Sequence, residues 1–264
     1  MSVKNVVKVM NFHSLIRVND ARKRVTEAYA YENELKTIIS SIVNNRIFKE
    51  DHLSINMSKG KKELNIYIGS DLGFCANFNA DIISYLREDD AKNDKIIIGK
   101  RINIPSENVL LFMNKEDFPN EYDKIYDVVL DGVLKEKYSQ LNVIYIHYNN
   151  LNSQEVMKRK ILPLEIDTKT KEKENDFASE GDLFFIIWNL ISLYVTTEIK
   201  IAEAWSWASE NVKRQAFTNE SLKKIDEREE IRIKKERKEK SKENFKIIVE
   251  SINRRVQNNK NKEE

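Results

Sequence analysis

The sequence predicts an α/β protein in which long antiparallel N- and C-terminal coiled-coil helices flank a small, mainly parallel α/β sheet domain. Three observations carry this prediction: the placement of helix breakers, two apolar stripes at helical spacing, and a central alternation of strand-like and helix-like segments. All six glycines and all three prolines lie from Gly60 to Gly181. A helix interior loses about 1 kcal/mol to glycine and about 3 kcal/mol to proline, so both flanks can be continuous helix and the middle must turn.

The amino-terminal flank, 1–50, carries Val18, Ala21, Val25, Ala28, Leu35, Ile39 and Ile42 at 3,4 spacing, interrupted only by Glu32. This is the stripe of a coiled-coil helix. The region 60–165 alternates Leu64–Ile68, Ala80–Leu86, Ile96–Ile98, Tyr122–Leu134 and Val143–Tyr148, the order of a small parallel sheet with crossover helices. Residues 166–181, poor in apolar anchors, read as a linker. From 182 to 256 a second stripe runs through Leu183, Ile187, Leu190, Tyr194, Thr197, Ile201, Ala204 and Ala208, and resumes at Phe245, Ile248, Ile252 and Val256. The tail, 257–264, has no apolar residue and is expected to be disordered. At about 1.5 Å per residue the second helix spans roughly 110 Å and the first about 65 Å. The unpaired excess should need another protein around it.

Composition narrows the function. The chain has 264 residues with 45 Lys and Arg against 43 Asp and Glu, a net charge of +2 that gives no field for nucleic acid. A single cysteine excludes a disulfide framework and a Cys-rich metal site, which fits a reducing, cytoplasmic setting. The amino terminus lacks a signal-peptide pattern. The run LFFIIWNLISLYV, 183–195, is shorter than a bilayer span of about 20 residues and reads as a buried helix. The segment 226–243 is charged except at Ile231, Ile233 and Ser241, and reads as a solvated helix with i,i+4 pairs such as Glu230–Lys234 and Glu236–Lys240. Trp188, Trp205 and Trp207 read as packing or interface anchors.

The most distinctive local stretch is SDLGFCANFN, 70–79, directly after the first strand. A glycine-containing βα turn invites a phosphate-site reading. It lacks the GxGxxG spacing, however, and IGKR at 98–101 lacks the earlier glycine and following Ser or Thr of a P-loop. Ser70 or Cys75 could act as a nucleophile only if His147 met them in space. The packing alternative has Ser70 and Asp71 satisfying turn amides, Gly73 supplying backbone freedom and Cys75 packing as a small apolar side chain. His13 and His52 are too dispersed to suggest a histidine metal site.

SDLGFCANFN resembles the S-D-R-G-L-C-G-G-F-N segment of the gamma subunit of F-type ATP synthases. Ser70, Asp71, Gly73, Cys75, Phe78 and Asn79 match; Leu72, Phe74, Ala76 and Asn77 depart. KIIIGKR, 95–101, is similar to the gamma strand ending in I-G-K-K-G. VIYIHYNNLNSQEVMKRKILPL, 143–164, resembles the gamma pattern of a strand, Y-N, then L-L-P-L. Along the last helix Ala202, Glu203 and Asn219–Leu222 match more loosely. Lys235, Arg237, Ile248 and Val249 fit the gamma carboxy-terminal pattern, with Lys238 and Lys242 replacing its Gln and Thr. The family's amino-terminal K-I-T-x-A-M is not found.

The resemblance implies a rotor shaft whose helices enter a ring of alpha- and beta-like ATPase subunits, with Arg237, Lys238, Phe245, Ile248, Val249 and Ile252 as shaft-to-ring contacts. It implies no catalytic residues, metal or cofactor on this chain, with ATP and Mg on partner subunits. An epsilon-like subunit is expected at the head, and a membrane rotor ring or another coupled machine below it. The complex is expected in the cytoplasm, at the inner face of the cell membrane. Lys238 and Lys242 depart from gamma's polar contact residues, and this divergence together with an AT-rich composition suggests the gamma-like subunit of an F-type-like ATPase, as in the additional ATPases of mycoplasmas. Two other readings of the residues remain: a coiled-coil adaptor with an α/β head, which predicts homodimers, and a small hydrolase using Ser70 or Cys75.

Overall fold

Without a helix breaker, the first flank forms one helix, α1 (Val3–Asn44), and the last forms another, α4 (Leu183–Lys260). The computed structural model describes residues 2–44, 60–75, 77–102, 104–135, 137–150, 153–164 and 183–260. The linker expected at 166–181 and the last residues, 261–264, lie outside the described residues, as does 45–50 of the first flank. Residues 257–260, expected in a disordered tail, instead continue α4. QNNK lacks apolar content but also lacks Gly and Pro, so nothing in it stops a helix already propagating.

Between the helices lie β1 (Lys62–Ile68), α2 (Ala80–Glu88), β2 (Asp94–Ile98), β3 (Val109–Met113), α3 (Phe118–Leu134), β4 (Tyr138–Tyr148) and β5 (Gln154–Leu162). They build one five-stranded sheet in the order β3-β2-β1-β4-β5. β1, β2, β3 and β4 pair in parallel, and β5 returns antiparallel to β4 with Tyr148 opposite Gln154. β1, β2 and β4 fall on the strand-like segments expected from the sequence. β3, VLLFM, is a short apolar run of no clear period, and β5, QEVMKRKIL, is a largely polar edge. α3 also begins earlier than expected, because Pro119 sits in its first turn, where a missing N–H costs no helical bond.

The chain divides into two units, Asn11–Phe217 and, separately, Met1–Met10 with Thr218–Glu264. In the first unit the alternation of β1 sorts its side chains. Leu64, Ile66 and Ile68 join Leu35, Ile39 and Ile42 of α1 and Ile187, Ile191, Val195 and Ile199 of α4 in one core. Tyr67, on the opposite face, packs with Phe78 and with Ile82 and Leu86 of α2. The two long helices are antiparallel here: Tyr29 lies against Trp205 and the Asn11 amide donates to the Gln215 carbonyl at 3.1 Å. Within the second unit Lys4 pairs with Asp226 at 2.7 Å and Glu229 at 2.8 Å. The α4 segment from 230 to 252 is exposed at every position.

Candidate functional site

The strand order places a topological switch between β1 and β4. After β1 the chain builds β2 and β3 on one side, then crosses to β4 on the other, and open α/β sheets bind ligands beyond the strand ends at such a point. SDLGFCANFN follows β1 there. Its residues bind one another and the neighbouring βα turns. The Ser70 N–H donates to Asn79 Oδ1 at 3.0 Å, and Asn79 Nδ2 donates back to Ser70 Oγ at 2.9 Å. Asp71 accepts from the Lys100 N–H at 2.7 Å and from the Glu116 N–H at 3.2 Å, tying the turns after β1, β2 and β3 together. Gly99 adopts φ +122, which a side chain rarely tolerates, and a Cβ at Gly69 would lie 2.3 Å from Ile102 Cδ1. Gly73 lies against Arg101, and Phe78 is buried beneath α2. Phe74 is held at φ 63 and 57% exposed, with its ring 6.0 Å from that of Phe217.

The crevice where a ligand would bind is filled by α4. Ser206 Oγ donates to the Ile68 carbonyl at 3.4 Å and Ser209 Oγ to the Ile146 carbonyl at 3.1 Å, so the helix satisfies the ends of β1 and β4. Lys115, just past β3, reaches Glu210 at 3.3 Å and Glu203 at 4.0 Å. Both Lys115 and Glu210 are buried, and burial raises the Glu210 carboxyl while Lys115 opposes the shift.

The nucleophilic reading has no support in this geometry. Ser70 is engaged by Asn79. Cys75 Sγ points at the Gly73 carbonyl at 3.3 Å, and burial, followed by the Glu210 charge 4.0 Å away, pushes its thiol up to about 12. A thiol so protonated is a poor nucleophile. His147 packs against the Trp205 ring at 4.7 Å, and burial lowers its basicity. Ala76 and His52 lie outside the described residues. Among the described residues no group of three or more His, Cys, Asp or Glu is placed to hold a metal ion.

The other residues singled out by the sequence lie on the distal part of α4. Arg237 and Lys238 are exposed, and Phe245, Ile248, Val249 and Ile252 are 69%, 57%, 38% and 54% exposed. Their spacing of i, i+3, i+4 and i+7 places the four apolar residues on one helical face. In the charged run Arg232 pairs with Glu236 at 3.7 Å and Lys235 with Glu239 at 4.0 Å, so Glu236 faces Arg232 rather than Lys240.

A family model described as ATP synthase matches residues 1–240. The ATP synthase gamma chain of Clostridium beijerinckii is 26% identical over 245 residues, covering 86% of this chain and 84% of its own. The chain belongs to the ATP synthase gamma family. The gamma chain of a Wolbachia from Drosophila simulans is 24% identical over 239 residues, covering 81% of this chain and 79% of its own. The fold is that of the central stalk of Tetrahymena thermophila mitochondrial ATP synthase, with a TM-score of 0.60 at 18% identity over 82% of this chain and 99% of that one.

In this gamma-family chain, two charge clusters against α4 are not apparent from the sequence. One is Lys115 with Glu210. The other explains the break in the α1 stripe: Glu32 is buried because Arg159 of β5 reaches it at 2.8 Å while also binding Glu198 of α4 at 2.9 Å. An acidic residue at a stripe position was the one available signal; Glu32 and Glu198 lie 127 and 39 positions from Arg159 and could not be paired with it by spacing.

Proposed function

We propose that this chain is the noncatalytic central rotor shaft of an F-type or F-type-like rotary ATPase, turning inside a ring of alpha- and beta-like subunits. The observation that carries this reading is α4 from 230 to 252, a gamma-family helix exposed throughout with an apolar face that none of the described residues covers. A contiguous apolar stripe of this kind marks an interaction surface. ATP and Mg belong to the ring, and the shaft acts by differential affinity. An asymmetric surface stabilises a different conformation in each beta-like subunit, so nucleotide binding and hydrolysis there are linked to the shaft's angle. The residues assigned to ring contact are Arg237, Lys238, Phe245, Ile248, Val249 and Ile252. The head contacts an epsilon-like subunit and passes rotation to a membrane rotor ring or another machine at the cytoplasmic face.

The reading is also supported by the position of α4, whose Ser206 and Ser209 hydroxyls bind the Ile68 and Ile146 carbonyls at the sheet's switch point. Affinity purification of the tagged full chain from its own cells, followed by mass spectrometry, is expected to recover alpha- and beta-like ATPase subunits in stoichiometric amounts. Recovery of the chain without any ATPase subunit contradicts the proposal.

A further inference from the structure

Three elements meet at Arg159. Its Nη2 lies 2.8 Å from Glu32 Oε1 on α1 and 3.0 Å from Glu198 Oε1 on α4, so two carboxylates share one guanidinium nitrogen. Both carboxylates are almost wholly removed from solvent, at 2% and 0% side-chain exposure. Each also has an oxygen short of a donor. Glu32 Oε2 accepts no hydrogen bond, and Glu198 Oε2 lies 2.9 Å from Arg159 Nε without a hydrogen-bonding angle. Contact with the same Arg159 nitrogen holds the two carboxyl groups close to each other.

The two cations in reach, Arg159 and Lys36, are both more exposed than the carboxylates they face. From α1, Lys36 bonds Glu32 and lies 3.9 Å from Glu198, but it is 41% exposed and its charge is partly spent on water. Tyr29 of α1 faces Arg159, Tyr145 of β4 faces Arg159 and Glu198, and Tyr194 of α4 faces Glu198. These hydroxyls are neutral donors. Arg159, itself 23% exposed, is thus the cation common to two buried carboxylates, a geometry in which one proton held between them lowers the like-charge repulsion and satisfies a donor-short oxygen.

We propose that Glu32 and Glu198 form a proton-binding site that joins α1 to α4 across the β5 edge. With the proton present, Glu198 donates to Glu32 and the two long helices are linked directly, with Arg159 bonded to both. When the proton leaves, two carboxylates compete for one guanidinium and the joint loosens. The proton resides on Glu198, which is the more deeply placed of the two. Burial, offset by Arg159 and reinforced by Glu32, pushes its carboxyl up to about 7, whereas for Glu32 burial is outweighed by Lys36, Glu198 and Arg159, which hold it below its ordinary range. The site belongs to the Asn11–Phe217 unit.

The sign follows from linkage. A carboxyl raised from 4.5 to about 7 keeps its proton in the folded chain after the unfolded chain has lost it, so its contribution is full below about 4.5 and is lost as pH rises to about 7. The test uses the full chain with 13C-labelled glutamate carboxyls, and thermal melts across the same pH range for the chain, E198Q and E32Q. One carboxyl is expected to titrate near neutral pH and to vanish in E198Q, while the melting temperature of the unsubstituted chain falls relative to E198Q as pH rises through that window. In E32Q the Glu198 midpoint should move by more than one pH unit toward acid, because Arg159 then serves one carboxylate. Two carboxyls both titrating below pH 5, or parallel pH profiles for the unsubstituted chain and E198Q, overturn the proposal. If E198Q does not fold, the titration in the unsubstituted chain and its shift in E32Q decide the matter alone.

Discussion

Replacing Lys115 by methionine is expected to lower the stability of the Asn11–Phe217 unit by about 3–5 kcal/mol, because it strands a buried carboxylate. Glu210 has no exposed surface, and Lys115 at 3.3 Å is its close cationic partner. Methionine fills most of the lysine volume, so packing is largely kept and the loss isolates the charge. For a unit of this size the change corresponds to roughly 2–4 °C per kcal/mol in melting temperature. The loss should deepen as pH rises: burial already raises the Glu210 carboxyl, removing the lysine raises it further, and a raised folded-state carboxyl stabilises only while protonated. The double replacement K115M with E210M should recover most of the stability, since the fully buried carboxylate is removed together with its cation. Melts of the two single variants and the double variant check this. Equal stability of K115M and the unsubstituted chain would show that the pair is not the anchor of α4 on the sheet.

The second large effect concerns assembly rather than folding. Phe245, Ile248 and Ile252 are more than half exposed, so changing all three to aspartate should alter the melting temperature of the chain little, within about 0.5 kcal/mol per site. Burying each against a ring is worth about 1.5–3 kcal/mol, so together they represent several kcal/mol of association, or at least a hundredfold in affinity. The triple variant is expected to retain its fold by circular dichroism and to lose its alpha- and beta-like partners in a pull-down. Undiminished recovery of those partners would remove these residues from the contact.

How much of this was readable beforehand differs by element. The long helices were legible because Gly and Pro are confined to the middle and because Val18, Val25, Leu35 and Ile39 keep a helical period, and all four are buried. β1 was legible from Leu64, Ile66 and Ile68, which share one buried face. β3 and β5 were not, since an edge strand buries too little of itself to impose a pattern; Leu110 and Phe112 of β3 are 46% and 47% exposed. The turn at 70–79 was legible as a turn, but its purpose depended on Lys100 and Glu116, whose amides meet Asp71 only after β2 and β3 have formed. Lys115 and Arg159 were silent for the same reason: a charged residue in a loop or on an edge strand ordinarily faces water, and only the position of α4 buries these partners.

The central claim is rotation, and it can be observed directly. With the alpha- and beta-like ring fixed to a surface and a bead attached through a cysteine introduced at exposed Ser84 of α2, ATP is expected to drive continuous rotation of the bead in one direction, halted by removal of ATP. An assembled ring that hydrolyses ATP while the bead shows only undirected Brownian motion would contradict the account.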